Sequence, residues 1–162
     1  MEQAGLSLVL PDLAATRALA ARLAGQLQRG DVVLLEGDLG AGKTELARTV
    51  IQAVAGGPIT VPSPTFTLLQ SYDLPGLEVG HADLYRIGEP DEIAELGLEE
   101  CWARGVLLVE WPERAPWLWP AERLTVALAA VPGSVGARRT DLNGTGRWAE
   151  LLAALADGAT NG

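Results

Sequence analysis

Two short, unbroken apolar runs organise the chain: Val32-Val33-Leu34-Leu35 and Val106-Leu107-Leu108-Val109, each of which ends in a glutamate, Glu36 and Glu110. Runs of this length without alternation fit strands covered on both faces, as in a parallel sheet. Around them the pattern predicts further elements. Residues 6–10 read as a strand, followed by a helix behind a possible N-cap at Asp12, with Leu19, Leu23 and Leu27 at four-residue spacing and Gly30 as its end. Residues 45–55 place Leu46, Val50 and Val54 on one helical face, closed by Gly56-Gly57 and then by Pro58, Pro62 and Pro64. Residues 66–72 and 77–84, separated by Asp73-Leu-Pro-Gly76, predict a hairpin. An acidic helix over residues 89–100 has Ile93 and Leu96 to turn inward. After the second apolar run, Pro112, Pro116 and Pro120 mark a loop holding Trp117 and Trp119, and residues 124–131 read as a strand. A last helix over residues 146–156 uses Trp148, Leu151, Leu152 and Leu155. No internal repeat is visible. The alternation of strand and helix predicts an α/β, three-layer domain over residues 1–157, with 158–162 as a disordered tail.

The segment joining the first apolar run to the helix after it is Gly37-Asp38-Leu39-Gly40-Ala41-Gly42-Lys43-Thr44, which fits G-x-x-x-x-G-K-[ST] at every defined position. Strand, glycine loop and helix stand in the order that a phosphate-binding loop requires. The fold class is therefore a P-loop NTPase-like domain with a central, largely parallel sheet. Glycines let backbone N–H groups turn inward around phosphates, and the helix N-terminus adds partial positive charge. Lys43 then reaches the β- and γ-phosphates, while the Thr44 hydroxyl serves Mg²⁺ bridging them. Lys43 is the one lysine beside eleven arginines, and a compact ammonium is not interchangeable with a planar guanidinium.

Composition narrows the classes. At 162 residues and 48% apolar content the chain suits one core and leaves little room for a lid or a substrate domain. The formal charge of −9 opposes strong direct binding of RNA or DNA. Cys101 is alone, so no internal disulfide forms, and a buried structural thiol is the expectation. Residues 1–5 lack a basic leader and no apolar run approaches bilayer length, so no membrane association is expected and the expected location is cytoplasmic. Nothing in the sequence sets an oligomeric state.

A phosphate loop needs a second carboxylate for Mg²⁺ at the end of a neighbouring buried strand, and Glu110 is placed for it. Trp111, beside it, suits the core as well as a ligand. Asp83, in His81-Ala-Asp-Leu-Tyr-Arg86, ends the second hairpin strand, where it either orients the attacking water or supports the metal. Thr65 lies in the proline-stiffened loop Pro62-Ser-Pro-Thr-Phe66, a place for a γ-phosphate sensor. His81, the single histidine, reads as packed or hydrogen-bonded and not as catalytic.

Together, Gly37 to Thr44, Ser63-Pro-Thr-Phe66, His81-Ala-Asp-Leu-Tyr-Arg86, Glu89-Pro-Asp-Glu-Ile93 with Leu96-Gly97, and Val109-Glu-Trp-Pro-Glu113 resemble the TsaE family. These are the bacterial P-loop ATPases of tRNA N6-threonylcarbamoyladenosine biosynthesis. The resemblance covers about residues 6–131. It implies ATP and Mg²⁺ as cofactors, Thr44 and Glu110 as metal ligands, Lys43, Asp83, Thr65 and Glu110 as the catalytic set, and a functional Trp111. It also implies TsaD- and TsaB-like partners, with TsaC making the intermediate. Glu45 departs from the family, which generally carries a small hydroxyl residue there, and it adds negative charge beside the phosphates. The last third matches poorly, so Arg138, and near the start Leu13, are the candidates for the adenine side.

An ATPase serving a tRNA-modifying complex is the first reading. A small-molecule kinase needs an acceptor pocket and an arginine-bearing lid, for which the chain has little material. A GTPase is excluded, because Asn-Lys-x-Asp is absent. A non-hydrolysing binding module follows if Asp83 and Thr65 serve structure alone.

Overall fold

The computed structural model describes residues 1–160, with side chains through residue 156. Its strands are β1 (Gln3–Leu10), β2 (Val32–Glu36), β3 (Leu69–Leu74), β4 (Leu77–Asp83), β5 (Val106–Glu110), β6 (Leu124–Ala130) and β7 (Arg138–Thr145). They form one sheet in the order β1-β7-β6-β2-β5-β4-β3. The two apolar runs lie side by side as β2 and β5, paired in parallel with Val32 opposite Leu107 and Leu35 opposite Glu110. β6 and β4 flank them, also in parallel, and the remaining pairings are antiparallel.

The helices are α1 (Leu13–Ala24), α2 (Lys43–Ala55), α3 (Pro90–Glu95), α4 (Leu98–Arg104) and α5 (Arg147–Thr160). Alternation within the apolar runs sorts them into two cores. Val33, Leu35, Val106 and Leu108 pack with Leu19, Leu23, Leu46, Val50 and Trp148 of α1, α2 and α5. Val32, Leu34, Leu107 and Val109 pack on the opposite face with Ile93, Leu98 and Cys101 of α3 and α4. The result is the expected three-layer α/β arrangement, parallel at its centre. Cys101 is buried, and burial pushes its thiol pKa up.

Several boundaries differ from the sequence reading. The Asp12 carboxylate caps α1 by accepting from the Ala15 N–H at 2.9 Å, as expected, yet the helix stops at Ala24 and Gly25, ahead of Gly30. Leu27 still packs on the core from the turn beyond. β3 begins at Leu69 because residues 64–67 form a turn closed by Leu68 N–H to the Pro64 carbonyl at 2.7 Å. The acidic helix is two helices, broken where Gly97 adopts φ 73°, and it buries Ile93, Leu98 and Cys101. β7 carries no apolar alternation that marks a strand. Its inward positions are Thr140, Leu142 and Gly144, the last so close to α5 that an added Cβ lies 2.7 Å from the Trp148 Cβ. α5 continues as helix to Thr160, beyond the expected end, while Asn161 and Gly162 of the expected tail lie outside the described residues.

Gly105, between α4 and β5, tests this packing. Its φ of −158° lies outside the left-handed region, and a Cβ there meets the Glu78 carbonyl oxygen at 2.0 Å. Gly105→Ala is expected to lower unfolding stability by about 1–3 kcal/mol in urea melts through overpacking at the β4–β5 junction. A midpoint equal to wild type contradicts that close approach.

Candidate functional site

Loop 37–42 carries the chain from the end of β2 into α2. Gly37, Gly40 and Gly42 have φ of 144°, 79° and 105°, a region that side chains rarely enter. Gly37 also needs its lack of a side chain, since a Cβ meets the Leu128 carbonyl oxygen at 2.5 Å. α2 starts behind Gly42 with no side-chain cap, so its first-turn N–H groups are left for an anion. Arg138 braces the loop from outside, donating from Nε to the Ala41 carbonyl at 2.9 Å.

Lys43 is 4% exposed. Its ammonium donates to the Gly37 carbonyl oxygen and lies 3.5 Å from the centroid of the Trp111 ring. Burial holds its pKa below the ordinary lysine value, against the opposing pull of the Glu110, Glu113, Asp83 and Asp38 carboxylates.

The facing wall follows from strand register. β4 and β5 run parallel with Asp83 opposite Glu110, so both carboxylates emerge at one level. Glu110 is 2% exposed; its Oε1 accepts from Thr44 Oγ1 at 2.7 Å and its Oε2 lies 2.7 Å from His81 Nε2. Asp83 Oδ2 accepts from Thr65 Oγ1 at 3.1 Å, and its Oδ1 accepts from the Tyr85 N–H at 2.9 Å. Trp111 adopts φ 60° just past β5, and its ring tilts against Tyr85 with centroids 4.9 Å apart. Between the walls lies a cavity of about 340 Å³, at the lower end of the size range of ligand sites.

The Thr44 hydroxyl and the Glu110 carboxylate are hard oxygen donors held together at this cavity. Among the described residues no cluster of three or more acids, histidines or cysteines is assembled for a metal. A two-oxygen set of this kind fits Mg²⁺, which keeps waters and takes phosphate oxygens for the rest of its shell.

The structure brings Leu39, Gly40, Gly42, Lys43, Thr44, Glu45, Thr65, Asp83, Glu110 and Trp111 onto the one cavity. Asp38 is exposed, and Ala41 is buried in the loop's inner turn. Glu45 is ion-paired with Arg48 at 2.6 Å, which offsets part of the charge it adds. Leu13, 42% exposed at the start of α1, and Arg138 do not line the cavity. Tyr85 and Arg86 do line it, although the sequence reading gave them no role. His81 proves hydrogen-bonded, and to Glu110 itself. The sequence held one signal for that contact: His81 and Asp83 are two apart in a strand, hence on the same face.

The family model for threonylcarbamoyl adenosine biosynthesis protein TsaE matches residues 10–139, which include every candidate site residue from Leu13 to Arg138. A tRNA threonylcarbamoyladenosine biosynthesis protein TsaE from Rickettsia bellii (strain RML369-C) is 42% identical over 113 residues, covering 70% of this chain and 78% of the relative. One from Nostoc sp. is 40% identical over 141 residues, covering 82% of each. The crystal structure of Bacillus subtilus YdiB matches with a TM-score of 0.77 at 28% identity, covering 99% of each chain.

The buried ammonium yields a stability test with a defined sign. Because the folded state lowers the Lys43 pKa below lysine's ordinary 10.5, the unfolded chain binds more protons in the window between the two values. The cost of the buried charge is thus fully present below the folded pKa and disappears as pH rises to 10.5. Lys43→Met is expected to unfold at higher urea than wild type at pH 7, with the gap closing towards pH 10. A wild type that is the more stable at pH 7 contradicts the dominance of burial.

Proposed function

The chain belongs to the TsaE family of threonylcarbamoyl adenosine biosynthesis proteins, and we propose that it contributes to that pathway by binding ATP with Mg²⁺ in the Lys43 cavity and hydrolysing it. The proposal places this activity in a single domain, residues 1–157, in the cytoplasm. Turnover is slow for the isolated chain and rises when it docks to TsaD- and TsaB-like proteins.

The observation that carries this reading is the pairing of Thr44 with Glu110 beside the Lys43 ammonium, across a cavity from Thr65 and Asp83. Loop 37–42 offers its backbone N–H groups to the phosphates, and Lys43 exchanges the Gly37 carbonyl for their oxygens. Thr44 and Glu110 would hold Mg²⁺, which would supply positive charge to offset that of the phosphates. Thr65 reaches towards the γ-phosphate. Asp83, whose oxygens are fixed by Thr65 and the Tyr85 N–H, orients the attacking water. Trp111 closes the cradle over Lys43. Arg138 is proposed for the adenine side because its Nε stands 3.5 Å from where a Gly42 Cβ would lie, at the rim of the phosphate loop, and Leu13 because the Cα of neighbouring Asp12 lies 4.0 Å from where a Gly136 Cβ would lie, two residues before Arg138. A net charge of −9 favours action through protein partners over direct capture of tRNA.

Glu110→Ala is expected to weaken ATP binding in Mg²⁺ by about 10-fold or more while leaving binding in EDTA nearly unchanged, since the carboxylate acts through the metal. Equal losses in both titrations make Glu110 structural. Asp83→Asn is expected to lower kcat with little change in ATP affinity, as measured by phosphate release and equilibrium binding. If only affinity falls, Asp83 is no catalyst. For the partner reading, phosphate release and pull-down with TsaD- and TsaB-like proteins are expected to show stimulation that weakens at high salt, given the acids of α3 and α4. Fast turnover by the isolated chain, or no association with ATP or ADP present, removes that reading.

A further inference from the structure

His81 lies on β4, between the edge strand β3 and β5, with 0% exposure and two residues before Asp83. Its Nε2 is 2.7 Å from Glu110 Oε2, and its Nδ1 has no hydrogen-bond partner. A carboxylate oxygen accepts, so the hydrogen sits on Nε2 and is donated to Glu110. An imidazole buried with one nitrogen unpartnered costs free energy that a hydrocarbon side chain at this site does not. The contact with Glu110 is what the residue offers in return.

That contact has a chemical consequence at Glu110. Both carboxylate oxygens are committed in different directions: Oε1 to Thr44 at 2.7 Å and Oε2 to His81 at 2.7 Å. Thr44 lines the cavity and fully buried His81 does not, so Oε1 is committed on the cavity side and Oε2 into the protein. Ca²⁺ is larger, takes six to eight oxygens and readily binds a carboxylate through both of them. Mg²⁺ demands a compact octahedron, keeps several waters and is served by single carboxylate oxygens. We infer that His81 is a positioning residue that holds Glu110 as a one-oxygen ligand and thereby makes the site select Mg²⁺ over Ca²⁺. The inference rests on the proposed reading of the cavity as a metal–nucleotide site.

The test is nucleotide binding by the full chain, titrated separately in MgCl₂, CaCl₂ and EDTA, with thermal melts to confirm folding. Wild type is expected to bind ATP more tightly with Mg²⁺ than with Ca²⁺. In His81→Leu, which frees Oε2, that Mg²⁺ advantage is expected to shrink by about 10-fold, with affinity in EDTA unchanged. His81→Gln, which retains an N–H donor, is expected to keep most of the advantage. Should His81→Leu fail to fold, His81→Asn, whose shorter amide falls short of Glu110, takes its place. An unchanged Mg²⁺-to-Ca²⁺ ratio in the folded donor-less variant, or equal ratios in His81→Gln and that variant, overturns the inference while leaving the metal–nucleotide reading intact. Absence of any divalent-dependent binding in wild type overturns both.

Discussion

Parallel pairing of β2, β5 and β4 is the constraint from which the site follows. Parallel strands end on the same side of a sheet, so whatever residue follows each apolar run is delivered to one edge. Here the register sets Asp83 opposite Glu110 and Glu110 opposite Leu35, one residue before Glu36 and the glycine loop. Two carboxylates and a phosphate-type loop from segments distant in sequence are thus juxtaposed by backbone hydrogen bonding alone. The side-chain contacts between Thr44 and Glu110, and between Thr65 and Asp83, then refine a placement that the sheet has already made. The two cores hold the register, because a one-residue slip in β5 exchanges Leu108 with Val109 between opposite layers.

Electrostatics at that edge works against folding and in favour of an anion. Lys43 is buried deeply enough that desolvation outweighs several nearby carboxylates, and its contacts in the free protein are a carbonyl and an aromatic face. Neither partner carries the negative charge that would neutralise it. An anion at the α2 N-terminus, which has no side-chain cap, would supply this charge. Glu36 shows the same economy at the neighbouring strand end. Burial, then repulsion from Glu113, raises its pKa, with Arg123 acting in the opposite sense. Burial at these strand ends therefore leaves charge in unfavourable surroundings, a cost that the two cores offset.

The parts of the fold legible in the sequence are those in which local pattern and tertiary role agree. The buried runs of β2 and β5, the glycine loop and the hairpin of β3 and β4 all carry their own signals. β7 was not legible, because it buries Thr140 and Gly144 in place of branched apolar residues; Gly144 is required by the approach of Trp148, a tertiary fact. The break at Gly97 is similar, since a glycine inside a helical pattern is ordinary until packing of both Ile93 and Leu98 demands a turn in the axis. Within the site, residues announced by motif or strand end were readable. Tyr85 and Arg86 were not, because they follow β4 in a segment without periodicity and reach the cavity only through the turn beginning at Leu84.

Backbone strain marks the same place by an argument independent of any motif. Among the described residues the non-glycine positions with positive φ are Leu68 at 66° and Trp111 at 60°. Each is a bulky side chain in a conformation that glycine or asparagine adopts at lower cost. Leu68 closes the turn that presents Thr65, and its carbonyl accepts from the Asp83 N–H at 2.9 Å. Trp111 carries its ring over Lys43 immediately after Glu110, which through its own carbonyl accepts from the Leu84 N–H at 3.1 Å. The two strained residues thus flank the Asp83–Glu110 pair: Leu68 is tied to the β4 terminus through its own carbonyl, and Trp111 follows Glu110, whose carbonyl makes the corresponding bond. Relaxing either one shifts the segment that positions Thr65 or Trp111 against the phosphate loop. The strain persists because the parallel strand ends over-determine the conformation of this cavity wall, while Leu39 and Arg86, which also line the cavity, are exposed.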